Sequence, residues 1–260
     1  MNRKLWSSFA GLCIVAMGAV GASPARAQMA EVKAKPPMYT YVGSWSIPRA
    51  QWADMDRANA DDQEILDKAI ANGTIIGNGN DYNLVHQPDG LTHDEWWSAM
   101  SMAGVLNVLD QFYKSGKATA PVLASATRHW DNIYVSRHYN WHSGSWKGVY
   151  THTGSYKLKA DAPMDALEML SKNLFVPFFE KLLADGTIHE YEIDTEAIHT
   201  EAPDTFWIEY IAGSAEDLDK VNAALVQAEK ANPLGGPAFA SMADFTPHRD
   251  NLVRGVATYK

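Results

Sequence analysis

The sequence predicts an α+β fold in which two βαββαβ repeats follow one another along the chain. Each half alternates between strand-like and helix-like hydrophobic periodicity, in the order strand, helix, strand, strand, helix, strand. Short segments of the first half also recur in the same order in the second: 40–45 with 151–156, 71–75 with 184–188, 85–86 with 198–199, 121–125 with 237–241, and 129–133 with 248–252. A repeat of this length is a small domain, longer than a solenoid unit. The sequence therefore predicts a tandem duplication.

Residues 1–27 have the features of a secretory signal peptide. Arg3 and Lys4 give a basic start, residues 9–20 form an apolar core too short to span a bilayer, and Ala27 ends a small-residue cleavage site. Cleavage removes the one cysteine, Cys13, so the mature chain forms no disulfide. We expect a periplasmic or extracellular protein that is not inserted in the membrane, with residues 28–37 as a flexible leader.

The charge of the chain bears on its partners. The formal net charge is −9, and no basic run is present, so nucleic acid is not an expected partner.

Aromatic residues make up 11% of the chain, which suits a packed core, an apolar pocket, or both. The sequence carries no phosphate-binding glycine loop, HExxH motif, cysteine pair or GxSxG elbow.

The first repeat is predicted to cover residues 38–139. Asn72 and Gly73 end its first helix, because glycine accepts the left-handed conformation of a helix C-terminus. Strands are predicted at 38–47, 74–86, 94–100 and 131–138, and helices at 48–71 and 104–114. Segment 140–147 is predicted to be a linker, packed rather than loose because it contains Trp141, His142 and Trp146.

The second repeat is predicted to cover residues 148–260. Pro163 opens its first helix, Pro177 kinks it and Gly186 ends it. Segment 187–199 alternates strictly, with carboxylates at 190, 192, 194 and 196 on one face, so we predict a strand whose carboxylate face is wet. Strands at 149–158, 205–212 and 251–259 and a helix at 215–231 complete the repeat.

A βαββαβ unit is the ferredoxin-like arrangement, with both helices on one face of the sheet. Two such units in one chain can cover each other's bare faces, sheet against sheet. Through its two β-α-Gly-β units, 43–75 and 154–188, the chain resembles the dimeric α/β-barrel superfamily in a tandem-duplicated form, over residues 38–260. The resemblance implies a pseudo-dimeric α/β barrel.

The same resemblance implies some cofactors and activities and not others. Relatives that bind haem present a histidine from a helix facing the sheet, and none of the four predicted long helices contains histidine. We therefore expect no haem and no other cofactor. Other relatives are cofactor-free oxygenases and isomerases that act on aromatic or polyketide-like molecules in a pocket between sheet and helices.

Recurring histidines are the main candidates for chemistry. His86 and His199 end the matched second strands and are candidate general bases, although a histidine bonded to a loop carbonyl fits equally well. The other set precedes the last strand of each repeat: His129, Asp131 and Asn132 in the first repeat, and His248, Asp250 and Asn251 in the second.

Asp-Asn before a strand is typical of a turn, and a turn is needed in both copies. We therefore predict a structural role for this set, with each Asp bonded to backbone donors. No metal site is expected within a repeat, because His86 and His129 should lie at opposite ends of the sheet. A site across the two copies stays open.

Six aromatic residues on predicted strands either line a ligand pocket or pack in the core: Trp45, Trp97, Tyr156, Tyr191, Trp207 and Tyr210. Three functions follow from these observations. The first is binding of an apolar or aromatic small molecule. The second is a cofactor-free oxygenase or isomerase with a strand histidine as general base, and the third is a structural or protein-interaction module. The sequence decides neither whether the protein is an enzyme nor its oligomeric state.

Overall fold

Eight antiparallel strands close into a barrel. The computed structural model describes residues 35–86 and 90–260, so the predicted signal peptide and most of the predicted leader lie outside the described residues. The strands are β1 (Met38–Trp45), β2 (Gly77–Asn83), β3 (His93–Ala99), β4 (His129–Trp141), β5 (Gly144–Leu158), β6 (Ile188–Glu196), β7 (Thr205–Ala212) and β8 (Ala243–Tyr259). Their order around the barrel is β1-β3-β2-β8-β5-β7-β6-β4.

The strand order shows how the barrel closes. The first four strands run β4-β1-β3-β2, and the last four run in the corresponding order, β8-β5-β7-β6. Pairing of β2 with β8 and of β4 with β6 joins these two sets. The predicted α/β barrel is confirmed as a closed barrel of eight strands, in which the two sets of strands are joined edge to edge by hydrogen bonds. Strands β4 and β8 are longer than predicted, and each reaches a strand of the other half, which leaves no open sheet edge.

Helices follow the predicted order with some additions. They are α1 (Trp52–Ala71), α2 (Met102–Ser115), α3 (Pro121–Ala124), α4 (Ala166–Leu170), α5 (Val176–Ala184), α6 (Ala215–Ala231) and α7 (Gly235–Met242). Short helices α3 and α7 were not predicted. The predicted helix stops are confirmed, since Gly73 and Gly186 both have a φ of 77°. No helix in the described part of the chain is both long and apolar enough to span a membrane.

The helix predicted to begin at Pro163 differs in detail. It begins at Ala166, so Pro163 and Met164 precede it, and the Met164 side chain is exposed. Residues Ser171–Phe175 then form a π-helical turn between α4 and α5. Pro177 follows within the first turn of α5. Proline has no backbone N–H to donate, and the wider π-helical turn lies directly before it.

The prediction of a wet face on β6 is wrong. Glu190, Glu192, Asp194 and Glu196 alternate as predicted, but none is more than 8% exposed. Residues on the opposite face pack on helices: Tyr191 stacks on Phe179 of α5. Barrel closure explains the difference, because a strand in a closed barrel covered by helices has two buried faces, one toward the helices and one toward the lumen.

The predicted linker is mostly strand. β4 continues to Trp141 and β5 begins at Gly144, so only His142 and Ser143 lie between them. Trp141 and Trp146 pack on an apolar cluster that fills one end of the barrel: Trp96, Val149, Ile211, Ala257 and Tyr259. This cluster is the floor of the lumen.

Candidate functional site

A cavity of about 250 Å³ lies between the sheet and the helices of the first half. We call it the helix-side cavity. Its walls are aromatic: Tyr41 stacks on Trp97 with ring centroids 4.2 Å apart, and Trp97 stacks on Phe112 at 5.2 Å. Trp45, another predicted ligand-contacting residue, also lines it. The polar side chains on its wall include Asp62, Glu95 and His129.

Glu95 is the notable polar group of the helix-side cavity. It lies on β3, its side chain is 5% exposed, and its Oε1 has no hydrogen-bond partner. Burial, helped by the nearby charge of Asp62 and opposed by Lys117, raises the pKa of Glu95 to about 8. At neutral pH this carboxyl is therefore mainly protonated, and it can donate a hydrogen bond or exchange a proton.

Sequence reasoning missed Glu95, although one pattern points to it. In the run 93–97, Glu95 shares its face with Trp97, whose ring packs toward α2. A carboxyl among apolar residues on a helix-facing side is costly to bury, so such a position is a candidate functional residue.

His129 and Asp131 form a pair at the edge of the same cavity. His129 Nδ1 donates to the carbonyl of Ser44 at 3.0 Å, its Nε2 lies 3.3 Å from Asp131 Oδ1, and its ring stacks on Trp45. Because the Nδ1–H of His129 donates to the Ser44 carbonyl, its Nε2 can donate to the Asp131 carboxylate only when the imidazole carries both protons. The Tyr41 hydroxyl donates to the same Asp131 oxygen, and burial followed by this bond raises the pKa of Tyr41.

The second half contains the corresponding arrangement. His248 Nδ1 donates to the Ser155 carbonyl at 2.8 Å, and Nε2 lies 3.3 Å from Asp250. His152 takes the place of the tyrosine, with Nε2 3.5 Å from Asp250. In both halves the aspartate partners are side chains, whereas we expected backbone donors. The predicted turn before the last strand of each half is wrong, because these residues lie within strands: His129 and Asp131 at the start of β4, and His248 and Asp250 in the interior of β8, where the histidines bond β1 and β5.

The remaining predicted site residues are divided among different environments. Tyr156 stacks on His248 and packs with Phe206, Phe239 and Phe245. Tyr191 donates to Glu180 at 2.7 Å, and Tyr210 stacks on His152. Tyr191 and Tyr210 thus pack in the core, whereas Tyr156 is half-buried among aromatic rings. Trp207, Asn132 and Asn251 line the barrel lumen.

His86 and His199 do not end strands, contrary to the prediction. β2 stops at Asn83 and β6 at Glu196, so both histidines lie in exposed segments beyond them. His86 contacts Arg49 and the edge of Trp52. Within the described residues, neither histidine lines the helix-side cavity or the lumen cavity.

The barrel lumen holds a second cavity, of about 420 Å³. It is acidic, because carboxylates project into the barrel from four strands. Two pairs lie directly opposite across neighbouring strands: Asp81 with Asp94 on β2 and β3, and Glu192 with Glu209 on β6 and β7. With Glu190 and Asp194 of β6 they make up what we call the lumen cluster: Asp81, Asp94, Glu190, Glu192, Asp194 and Glu209.

Burial is the largest cause of a raised pKa at every member of the lumen cluster. It raises the pKa of Asp94 to about 6 and that of Glu209 to about 7. For the other four, burial and neighbouring carboxylates together raise the pKa well above the ordinary range. Neutral donors offset part of this cost: Thr153 donates to Glu209 at 2.6 Å and Trp96 to Asp81 at 3.0 Å.

Comparison with known proteins identifies the fold. No family model matches the chain, and no curated protein matches it in sequence. A solved putative monooxygenase from Lactobacillus acidophilus NCFM superposes with a TM-score of 0.62 at 10% identity, covering 86% of this chain and 97% of that one. A putative monooxygenase from Fusobacterium nucleatum gives 0.59 at 9% identity, with 87% and 95% covered.

An anthrone oxidase-like protein gives a TM-score of 0.52 at 10% identity, covering 86% of this chain and 94% of that one. At such identities the likeness concerns the fold alone. These structures belong to the dimeric α/β-barrel superfamily, and the closed barrel of this chain is compatible with that fold.

Proposed function

We propose that the protein binds a small, flat aromatic molecule in the helix-side cavity. One observation carries the proposal: Glu95, a buried carboxyl with an unpartnered oxygen, lines a cavity walled by Tyr41, Trp97 and Phe112. Small-molecule sites are typically apolar and aromatic, with a few polar groups that fix orientation. The stacked rings favour a planar ligand.

The polarity of Glu95 narrows the ligand class. Because its pKa is raised to about 8, Glu95 offers a hydrogen-bond donor at neutral pH. A carbonyl or phenolic oxygen on the ligand would accept that bond. A carboxylate on the ligand would lose its hydration and add negative charge near Asp62, so we expect hydroxy- or keto-aromatic ligands to bind better than aromatic acids.

Isothermal titration calorimetry with 2-naphthol and, for comparison, 2-naphthoate tests this proposal. Leu109→Trp should fill the cavity that Leu109 lines and abolish binding of 2-naphthol. The matched control is Leu225→Trp, at an exposed position on α6, which should leave affinity unchanged. Equal binding by the wild type and the Leu109→Trp variant, or no binding of 2-naphthol, would refute the helix-side site.

A second candidate function is proton transfer by a cofactor-free oxygenase or isomerase. The observation that favours it is the pKa of Glu95, since a general acid or base works best when its pKa is near the working pH. Glu95 replaces His86 and His199 as the candidate base, because both histidines are exposed and away from the cavities. The putative monooxygenases have this fold, which is compatible with the proposal.

Glu95→Gln separates catalysis from binding. The amide keeps the shape of the side chain and a hydrogen-bond donor but exchanges no proton. For an enzyme we expect turnover of the bound aromatic to fall by at least about 100-fold, the usual contribution of a general acid or base. Ligand affinity should stay within about tenfold. Unchanged turnover in Glu95→Gln would exclude this carboxyl as the acid or base.

We also propose that the chain arose by tandem duplication. The corresponding strand orders of the two halves support this, as do the matched helix caps: Ser101 accepts a bond from the Gly104 N–H, and Ser214 accepts one from the Asp217 N–H. The paired His–Asp contacts are a third correspondence. Close homologues aligned half against half would show matching residues at these positions, and unrelated halves would not.

Export to the periplasm or the exterior completes the proposal. It rests on the basic start, apolar core and cleavage site of residues 1–27. Intact mass of the protein from its native host should correspond to a chain that starts at Gln28. A full-length cytoplasmic product would overturn it.

A further inference from the structure

We infer that the barrel lumen binds a hard divalent cation, of the class of Ca²⁺, Mg²⁺ and Mn²⁺, between Glu190, Glu192 and Glu209. One carboxylate oxygen from each residue lies within 4.8 Å of those from the other two. Ligand oxygens on opposite sides of a Ca²⁺ ion are about 5 Å apart, twice the usual bond length. One ion can therefore contact all three side chains. The inference is independent of the helix-side cavity.

Glu190 provides an observation separate from the clustering of charge. Its side chain is completely buried, and neither of its carboxylate oxygens has a hydrogen-bond partner. Buried polar atoms almost always have partners, because leaving one unpaired costs free energy. Asp194 Oδ1 and Thr151 Oγ1 are also buried without partners. A cation between the carboxylates would satisfy the Glu190 oxygens.

The charges around this position are unbalanced. Glu192 and Glu209 are directly opposite on neighbouring strands, an arrangement in which like charges destabilise a sheet. Asp81, Asp94 and Asp194 add further carboxyls to the same lumen. In residues 35–86 and 90–260, no lysine, arginine or histidine forms an ion pair with any member of the lumen cluster. A divalent cation supplies the missing positive charge.

The donor atoms select the class of cation. All three proposed ligands are carboxylates, which suit Ca²⁺, Mg²⁺ and Mn²⁺, whereas soft metals prefer thiolate and imidazole. Two of the ligands are already oriented by hydroxyl groups, Glu209 by Thr153 and Glu192 by Thr40. Glu192 and Glu209 also line the 420 Å³ lumen cavity, which gives an ion access and leaves room for its waters.

Titration calorimetry of the chelator-treated, full mature chain with CaCl₂, MgCl₂ and MnCl₂ tests the inference and identifies the preferred ion. We expect one site per chain. The double variant Glu192→Gln/Glu209→Gln should weaken affinity at least about 100-fold, because the number of charged ligands sets the affinity of such sites. The control is Glu196→Gln on the same strand, whose oxygens already accept bonds from Thr200 and Glu201; its affinity should be unchanged.

Thermal unfolding gives a second readout that does not depend on activity. At a cation concentration about 100 times Kd, the wild-type Tm should rise by roughly 5–10 °C. The double variant should show no such rise, because two of the three proposed ligands are gone. If the double variant does not fold, the single variant Glu190→Gln takes its place in both measurements. No binding heat and no shift in wild-type Tm with any of the three cations would show that the carboxylates hold protons instead.

Discussion

Neighbouring carboxyl groups on one strand lie in separate environments in this protein. Asp94 and Glu95 are adjacent on β3, yet Asp94 faces the lumen and accepts a bond from Ser44, while Glu95 faces the helices and has an unpartnered oxygen. Strand alternation sends them to opposite sides of the sheet. The lumen cavity and the helix-side cavity are therefore lined by adjacent residues, on opposite faces of the barrel wall.

At the residue scale, Asp131 should matter more for stability than Asp250. Asp131→Ala would leave the hydroxyl of Tyr41, a 4% exposed residue, without its acceptor, so we expect a loss of about 1–3 kcal/mol in the free energy of unfolding. Asp250 is 54% exposed and lies beside histidines, so Asp250→Ala should cost under about 1 kcal/mol.

Urea unfolding measures both losses. A double-mutant cycle with Tyr41→Phe isolates the bond, because Asp131→Ala should cost much less when the hydroxyl is absent. If Asp131→Ala and Asp250→Ala lower the free energy of unfolding equally, the exposed His–Asp ion pairs, and not the bond from the Tyr41 hydroxyl, determine what the two aspartates contribute to stability.

At the scale of elements, the seam between β2 and β8 depends on a close backbone approach. Gly255 of β8 is opposite Asp81 of β2 in the register. A Cβ atom added to Gly255 would overlap the carbonyl of Asn80 and the carboxylate of Asp81. The seam joins the two halves of the barrel. The absence of a side chain at Gly255 therefore lets the barrel close and leaves space for the carboxylate of Asp81.

Gly255→Ala should therefore destabilise the protein by at least about 1–3 kcal/mol, the usual cost of overpacking. The matched control is Gly236→Ala in α7, where an added Cβ has no atom within 4 Å and alanine favours the helix by up to about 1 kcal/mol. Chemical denaturation of both variants checks the pair. A stable Gly255→Ala protein would show that β2 and β8 can separate without loss of the barrel.

At the scale of the whole molecule, the buried carboxyls predict an acid-stable protein. Folding raises the pKa of Asp94 to about 6, of Glu209 to about 7 and of Glu95 to about 8, in each case mainly through burial. The folded state thus binds more protons than the unfolded state over this range. The stabilisation is complete below the unfolded pKa values near 4 and is lost as the pH rises through the folded values.

We expect the free energy of unfolding, measured with urea in the presence of a chelator, to fall between pH 5 and pH 8. Glu95→Gln should make this decline smaller, because it removes one of the groups responsible. The exposed acid Glu64 provides the control, since Glu64→Gln should leave the slope between pH 5 and pH 8 unchanged. A stability that increases over the same range would contradict the buried, protonated state of these carboxyls.

The sequence by itself determined the order of the elements and much of their local detail. Hydrophobic periodicity predicted the helices α1, α2 and α6, and glycine chemistry predicted the stops at Gly73 and Gly186. The alternation of β6 was also correct as a pattern. These features depend on residues close together in the chain, so local sequence is enough to specify them.

Only the tertiary structure decided what the two faces of each strand contact. A strand with carboxylates on one face has the same alternating sequence whether that face contacts water or a barrel lumen. In this protein the pairing of β2 with β8 and of β4 with β6 closes the barrel, so the carboxylate face of β6 lines the lumen. The lumen cavity has the same origin: Glu192 and Asp94 both line it although they belong to different halves of the chain. Periodicity specifies which residues share a face, whereas long-range pairing sets the solvent exposure and the charge of that face.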